Sequence, residues 1–222
     1  QEAKRKFNPS AQEEAELNQS EERLQKALDV SIEQEGLAKS LKDEAGELEE
    51  TLPEKVKEAQ ALLQEIQDEK NETDKNLEAA LKEDPSDEAY IEKLQERTAR
   101  LNKMHQRTQQ DLITLEKQVP RVAKFKQGCE ALFGQGGKPP GPQGREAQSL
   151  AEVNQALNQQ AGKVERANAA LAIPLNALKS LCSSISNAIS SAWNSITGTK
   201  KELAEMKQNK PERSPKPSAE MK

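Results

Sequence analysis

Apolar residues in this chain recur at steps of three and four over long stretches, with charged and amide side chains between them. The cleanest run is Ile91, Leu94, Thr98, Leu101, His105, Thr108, Leu112, Leu115, Val119, Val122, Lys126, Cys129 and Phe133. Steps that alternate in this way draw one narrow stripe down a helix, the seam of a coiled coil, and a disordered segment has no reason to hold that phase. An earlier run passes through Leu17, Leu24 and Leu28 and weakens near Ser31 and Glu35. It resumes at Leu41, Ala45, Leu48, Leu52, Val56, Ala59, Leu63, Ile66, Thr73, Leu77 and Ala80. A third runs from Leu150 through Val153, Leu157, Ala161, Val164, Ala167, Leu171, Leu175, Leu178, Cys182, Ile185, Ile189 and Ala192 to Ile196. The pattern predicts an all-α protein: an elongated antiparallel helical hairpin or coiled coil, a C-terminal helical segment, and disordered termini.

Punctuation residues set the boundaries. Residues 1–9 read as a flexible basic arm. "SAQE" at 10–13 is a capping box, in which Ser10 and Glu13 each satisfy the other's backbone amide. Pro85 in "EDPSDE" biases Asp84 away from helix, and Ser86 or Asp87 is suited to cap a new one, so the hairpin turn falls near 84–87. Pro53 lies where the stripe keeps its phase, which predicts a kink there and a matching one at Pro120 rather than two stops. Folding the two stripes about this turn sets Leu77 against Leu94, Thr73 against Thr98, Ile66 against His105 and Leu52 against Val119. The hairpin covers 10–133, a Gly/Pro-rich linker follows at 134–145, a helical segment spans 146–207, and 208–222 reads as a disordered tail. Pro174 is expected to kink or break the last helix, and Gly198 to stop it or serve as a hinge.

Composition supports this picture. Apolar residues are 33% of the chain and aromatics 2%, too few for a thick globular core and enough for narrow helical stripes. The net charge of −5 repels nucleic acid. It is unevenly spread: residues 10–52 hold thirteen acids and four bases, residues 87–133 nine bases and seven acids. An acidic helix is therefore expected to lie on neutral or basic neighbours, or on a basic partner. No stretch reads as long and apolar enough to span a bilayer, and no signal peptide is visible.

No catalytic constellation emerges. His105 is alone and sits on a seam, where a polar residue fixes register. Cys129 and Cys182 sit on stripes and read as free thiols acting as small apolar side chains, with a disulfide between them left open. "GQGGKPPG" lacks the GK[ST] ending of a phosphate-binding loop. Neither cofactor, metal nor small-molecule substrate is implied.

One stretch departs from the rest. Residues 180–198, "SLCSSISNAISSAWNSITG", carry no charge, seven serines and the only tryptophan. On a helix Leu181, Ile185, Ile189, Trp193 and Ile196 share one apolar face. As a buried helix, the serines permit close approach of neighbours. As a membrane-surface helix over 178–197, the bulky residues insert while the serine face stays wet. As a partner-binding helix, the same face captures another helix.

The tail "KELAEMKQNKPERSPKPSAEMK", rich in Lys, Glu and Ser, resembles the exposed C-terminal signals of bacterial type IV secretion substrates, and the Gln/Glu/Lys-rich body is similar to coiled-coil effectors of intracellular bacteria. That resemblance implies a host-facing interaction protein, often one acting on vesicle traffic, and carries over no residue role. The sequence thus points first to a non-enzymatic interaction protein or scaffold, cytoplasmic or secreted into a host cell without a cleavable signal peptide. Its partners would be proteins, either a second copy or a host protein. The alternative is a peripheral membrane protein using 178–197.

Overall fold

The computed structural model describes residues 8–135 and 149–216, with side chains 133–135 left out. The arm at 1–7, most of the Gly/Pro linker and the last six residues lie outside the described residues. The fold is all-α. Three helices, α1 (Ala11–Glu83), α2 (Glu88–Gln135) and α3 (Leu150–Gln208), account for all regular structure among the described residues.

Each helix starts at a side-chain cap. Ser10 Oγ accepts from the Glu13 amide at 3.3 Å and the Ser10 amide donates to Glu13 Oε2 at 2.9 Å, closing the capping box. Between α1 and α2, the Tyr90 amide donates to Asp87 Oδ1 at 3.3 Å, making Asp87 the cap. The Glu152 amide donates to Ser149 Oγ at 3.3 Å, so α3 begins immediately after Ser149. α1, α2 and α3 run through Pro53, Pro120 and Pro174 respectively, and α3 passes Gly198 without stopping. A proline removes the amide that the fourth residue before it needs. Those residues are Glu49, Glu116 and Ala170, all exposed, so each proline is accommodated where its helix faces solvent.

The chain divides into two compact units, and each draws on all three helices. Unit 1 comprises residues 1–47 and 122–184; unit 2 comprises 48–121 and 185–222. The third helix is therefore part of the packing in both, rather than a module set apart by the linker.

In unit 1 the core is made by Leu17, Leu41 and Ala45 of α1, Val122, Phe125 and Cys129 of α2, and Ala161, Val164, Leu175 and Cys182 of α3. Contacts between α1 and α3 advance in the same direction along both helices, from Ser20 with Asn154 to Gln34 with Asn168, so the two run parallel. Both cysteines are buried, and neither forms a disulfide among the described residues. Burial, followed by the neighbouring Glu130 charge, pushes the Cys129 thiol above its ordinary range, which keeps it protonated and inert.

In unit 2 the core holds Leu52, Leu62 and Ile66 of α1, Leu94, Leu101, Met104 and Leu115 of α2, and Ile185, Ile189, Ile196 and Leu203 of α3. Leu77 packs on a cluster of Ala80, Tyr90, Ile91 and Leu94 next to the turn, as the folded-over stripes require. Elsewhere the expected α2 seam is displaced. Met104, Arg97, Gln118 and Phe125 are buried where the simple repeat places His105, Thr98, Val119 and Lys126; Val119 is 47% exposed. On α1 Leu62 is buried in place of Leu63, and on α3 Asn168 in place of the exposed Ala167. A two-stranded seam needs one row per helix, whereas a helix with two neighbours buries a wider arc and admits the residues on its flank.

Glycine positions separate propensity from packing. A Cβ added at Gly36 or Gly46 meets nothing within 4 Å, but one at Gly128 falls 2.6 Å from Leu178 Cδ2. Gly36→Ala and Gly46→Ala are each expected to stabilise the protein by about 0.5–1 kcal/mol. Gly128→Ala must displace Leu178 and is expected to lose that gain. Urea unfolding of the three variants checks the difference.

Candidate interaction surfaces

The uncharged face of α3 is turned inward. Ile185, Ile189 and Ile196 are at most 5% exposed, Trp193 is half-buried within unit 2, and Leu181 is half-buried within unit 1. Ala192 and Thr199 are buried beside them, while Ser183, Ser184, Ser190, Ser191 and Asn187 remain at the surface. Lys55 Nζ of α1 lies 4.4 Å from the Trp193 ring centroid, closing the flank with a cation over the indole. One correction concerns the bilayer: by length and composition α3 is one helix among the described residues that could cross a membrane.

In unit 1 the α1–α3 contact is largely polar. Arg23 grips Glu165 with two hydrogen bonds, at 2.8 and 2.7 Å, and holds Asn158 Oδ1 at 3.2 Å. Ser20 bonds Asn154 and accepts from Asn158 Nδ2. The buried Asn168 amide donates to the Ala27 carbonyl at 2.8 Å, and Gln34 donates back to the Asn168 carbonyl at 2.9 Å. These bonds set the register of two helices whose shared apolar row is thin. An open groove of about 850 Å³ on one flank is lined by Glu16, Arg23, Lys26, Val30, Asn158 and Glu165. It is an open channel with a mixed polar and apolar lining.

The apolar residues of this pair are incompletely covered. Leu24 and Leu28 of α1 and Leu150, Val153 and Leu157 of α3 are only half-buried, and Ile32 is 65% exposed. The position of α2 explains this. Gly128 abuts Leu178, and the two helices run in opposite directions, so Gln135 falls level with about residue 171 of α3. That is about 30 Å short of Leu150 at 1.5 Å per residue. Leu157 and Leu150 continue, at steps of seven, the row that begins at Leu178. Over this length, among the described residues, α1 and α3 have only each other.

Unit 2 is tied by charge. Arg97 is 7% exposed; its Nη1 donates to the Met206 carbonyl of α3 at 2.7 Å and its Nη2 to Glu69 of α1 at 3.0 Å. Arg107 and Arg100 of α2 both pair with Glu202 of α3. Burial pushes the Glu202 carboxyl up, but hydrogen bonds from Arg107 and Arg100 outweigh it and hold the group below its ordinary value. Lys207 pairs with Glu65 and Lys200 with Glu58, both sets seven residues apart, which is the flank-charge pattern of parallel helices.

Beyond α3 the chain makes side-chain contacts with the α1–α2 hairpin up to Ser214. Residues 209–216 cross the α1–α2 turn without regular structure, and the rest of the expected tail, 217–222, lies outside the described residues. Lys210 pairs with Glu72 at 3.1 Å, Arg213 with Glu83 at 2.8 Å, and the Arg213 guanidinium lies 5.9 Å from the Tyr90 ring centroid. The Ser214 amide and hydroxyl both donate to the Asp87 carboxylate, at 2.9 and 2.6 Å. These two bonds, then the Tyr90 amide and the Arg213 charge, outweigh the small effect of burial and hold the Asp87 carboxyl below its ordinary value. Polar anchoring of this kind leaves no hydrophobic signal, so the stripes could not reveal it.

Among the described residues no group of three or more His, Cys, Asp or Glu side chains could hold a metal ion. The chain matches no protein-family model, no curated protein and no solved structure.

Two stability tests follow from these charges. Glu69→Ala leaves Arg97 buried beside only a carbonyl and is expected to destabilise the protein by about 3–5 kcal/mol, whereas Glu69→Leu with Arg97→Met restores most of the loss; chemical denaturation measures both. Glu202, Glu165 and Asp87 all have depressed carboxyls. Their contribution is complete above the ordinary carboxylate values, 4.5 for Glu and 3.8 for Asp, and is lost as pH falls through the lower folded values. Thermal melting is expected to be flat from neutral pH down to those values and to fall below them, with a shallower fall in Glu202→Gln.

Proposed function

We propose that this chain is a non-enzymatic helical scaffold that binds a helix of a protein partner along the α1–α3 pair of unit 1. The carrying observation is the half-buried row of Leu24, Leu28, Val153 and Leu157, apolar positions in phase with a core yet not closed over among the described residues. Each such side chain gains free energy on covering, at about 25 cal/mol per Å² of apolar surface. Charge selects the partner. Residues 10–35 carry eight acids against two bases, so a second copy of this pair is repelled and a helix with basic flanks is favoured. The secreted, host-facing role implied by the resemblance of the tail rests on its composition.

The test uses a synthetic amphipathic Leu/Lys helix and its Leu/Glu counterpart, with binding read by fluorescence anisotropy. The Leu/Lys peptide is expected to bind, and Leu28→Glu with Ile32→Glu to weaken it about tenfold or more. Equal binding of both peptides, or an undiminished affinity in the variant, removes the reading. So does concentration-dependent dimerisation lost in the same variant, or binding that appears only when residues 136–148 are replaced by a Gly/Ser stretch.

A second reading, a peripheral membrane protein using 178–197, is favoured by the apolar content of α3. It requires Ile185, Ile189 and Ile196 to leave their packing, and burying them again in lipid returns only what that exposure costs. The scaffold reading expects the protein to stay with the dense fraction in liposome flotation. Flotation abolished by Ile189→Glu and Trp193→Glu supports the membrane reading instead.

A further inference from the structure

The segment 209–216 contains the single Ser–Pro step of the sequence, Ser214–Pro215, and there is no Thr–Pro step. We propose that Ser214 is a phosphorylation site for a proline-directed serine kinase, and that the modification detaches this segment from the α1–α2 turn.

The first support is accessibility. Ser214 and Pro215 are exposed and outside any helix, so the step is open to a kinase's substrate groove. The segment is held by surface ion pairs of Lys210 and Arg213 and by the Asp87 carboxylate. Anchors of this kind open easily, because each is solvated on one side and screened by salt. Transient opening presents Ser214 while the three helices stay packed.

The second support is the chemistry of the seat. Ser214 Oγ donates its only proton to Asp87 Oδ1, and its amide donates to Oδ2 of the same group. Asp84, Glu88 and Glu92 line the same concavity with Asp87, Lys216 is the one cation among its described lining residues, and Arg213 is engaged by Glu83. In the transfer, Ser214 Oγ attacks the γ-phosphorus of ATP, ADP leaves, and the hydroxyl proton passes to the kinase's base. The product has no hydroxyl hydrogen to donate and carries a charge near −2. It faces Asp87 at a distance where two anions repel strongly, and the positive end of α2 is already taken by the Asp87 cap. The seat that holds serine thus rejects phosphoserine. What detachment uncovers is the Tyr90 ring under Arg213 and the small hollow beside Pro211, lined by Glu72, Thr73, Asn76 and Leu94.

The experiment uses the full chain, a recombinant proline-directed serine/threonine kinase and Mg-ATP. Mass spectrometry is expected to show one phosphate at Ser214 and none in Ser214→Ala. Hydrogen exchange of a peptide covering 208–216 is expected to speed up about tenfold or more on phosphorylation, with α1–α3 exchange unchanged. Asp87→Asn, which keeps a capping side chain but removes the repelling charge, should blunt that increase. Failure to label Ser214, or labelling without faster exchange of 208–216, overturns the proposal. An equal acceleration in phosphorylated Asp87→Asn overturns the charge mechanism that underlies it.

Discussion

Arg97 sits at a level of unit 2 where all three helices meet, and a guanidinium cannot be enclosed there without acceptors. Glu69 on α1 supplies one and the Met206 carbonyl on α3 another, so a single α2 side chain fixes the height of both neighbours. Desolvating the pair is costly, and the same contacts are worth little as net stability. Their value is in exclusion. A helix stripe built from Leu, Ile and Ala tolerates a slip of one heptad, because one Leu layer looks much like the next. With Arg97 buried, a slip strands a charge. The Glu202 contacts with Arg100 and Arg107 and the Lys200 and Lys207 pairs repeat that constraint at the surface, with small energies and the same register.

Unit 1 meets the same need mostly with neutral groups, beside the single Arg23–Glu165 pair. Ser20, Asn154 and Asn158 form a small network, and Asn168 is buried with its amide on the Ala27 carbonyl. Ala161 and Ala27 allow the close approach that makes such short side chains effective. The consequence is a pair of helices with specific alignment and a thin apolar row. Leu24, Leu28 and Leu157 keep part of their surface in water, and the proposed partner helix is the one that would cover it.

Much of the architecture was legible in the heptads. Ser10, Asp87 and the phase of Leu41 through Ala80 foretold where helices begin and that Pro53 would not end one. The inward face of α3, with Ile185, Ile189 and Ile196, was readable as a face, yet periodicity could not say whether protein or lipid would cover it. The seam of α2 was less legible. His105, Val119 and Lys126 fit a strict repeat, but the helix turns Met104, Gln118 and Phe125 inward because a second neighbour widens the buried arc.

By itself, then, the sequence determined the helices, their caps and the approximate stripe on each, because these follow from local spacing and local hydrogen bonds. The tertiary structure decided which neighbours each stripe meets, that α3 runs parallel to α1, and that the polar residues 209–216 lie across the turn. Those outcomes depend on residues more than a hundred positions apart, and polar contacts such as Ser214 with Asp87 have no periodic trace along the chain. Long-range pairing is a property of the folded surface, where geometry selects among many acids and bases that look equivalent in one dimension.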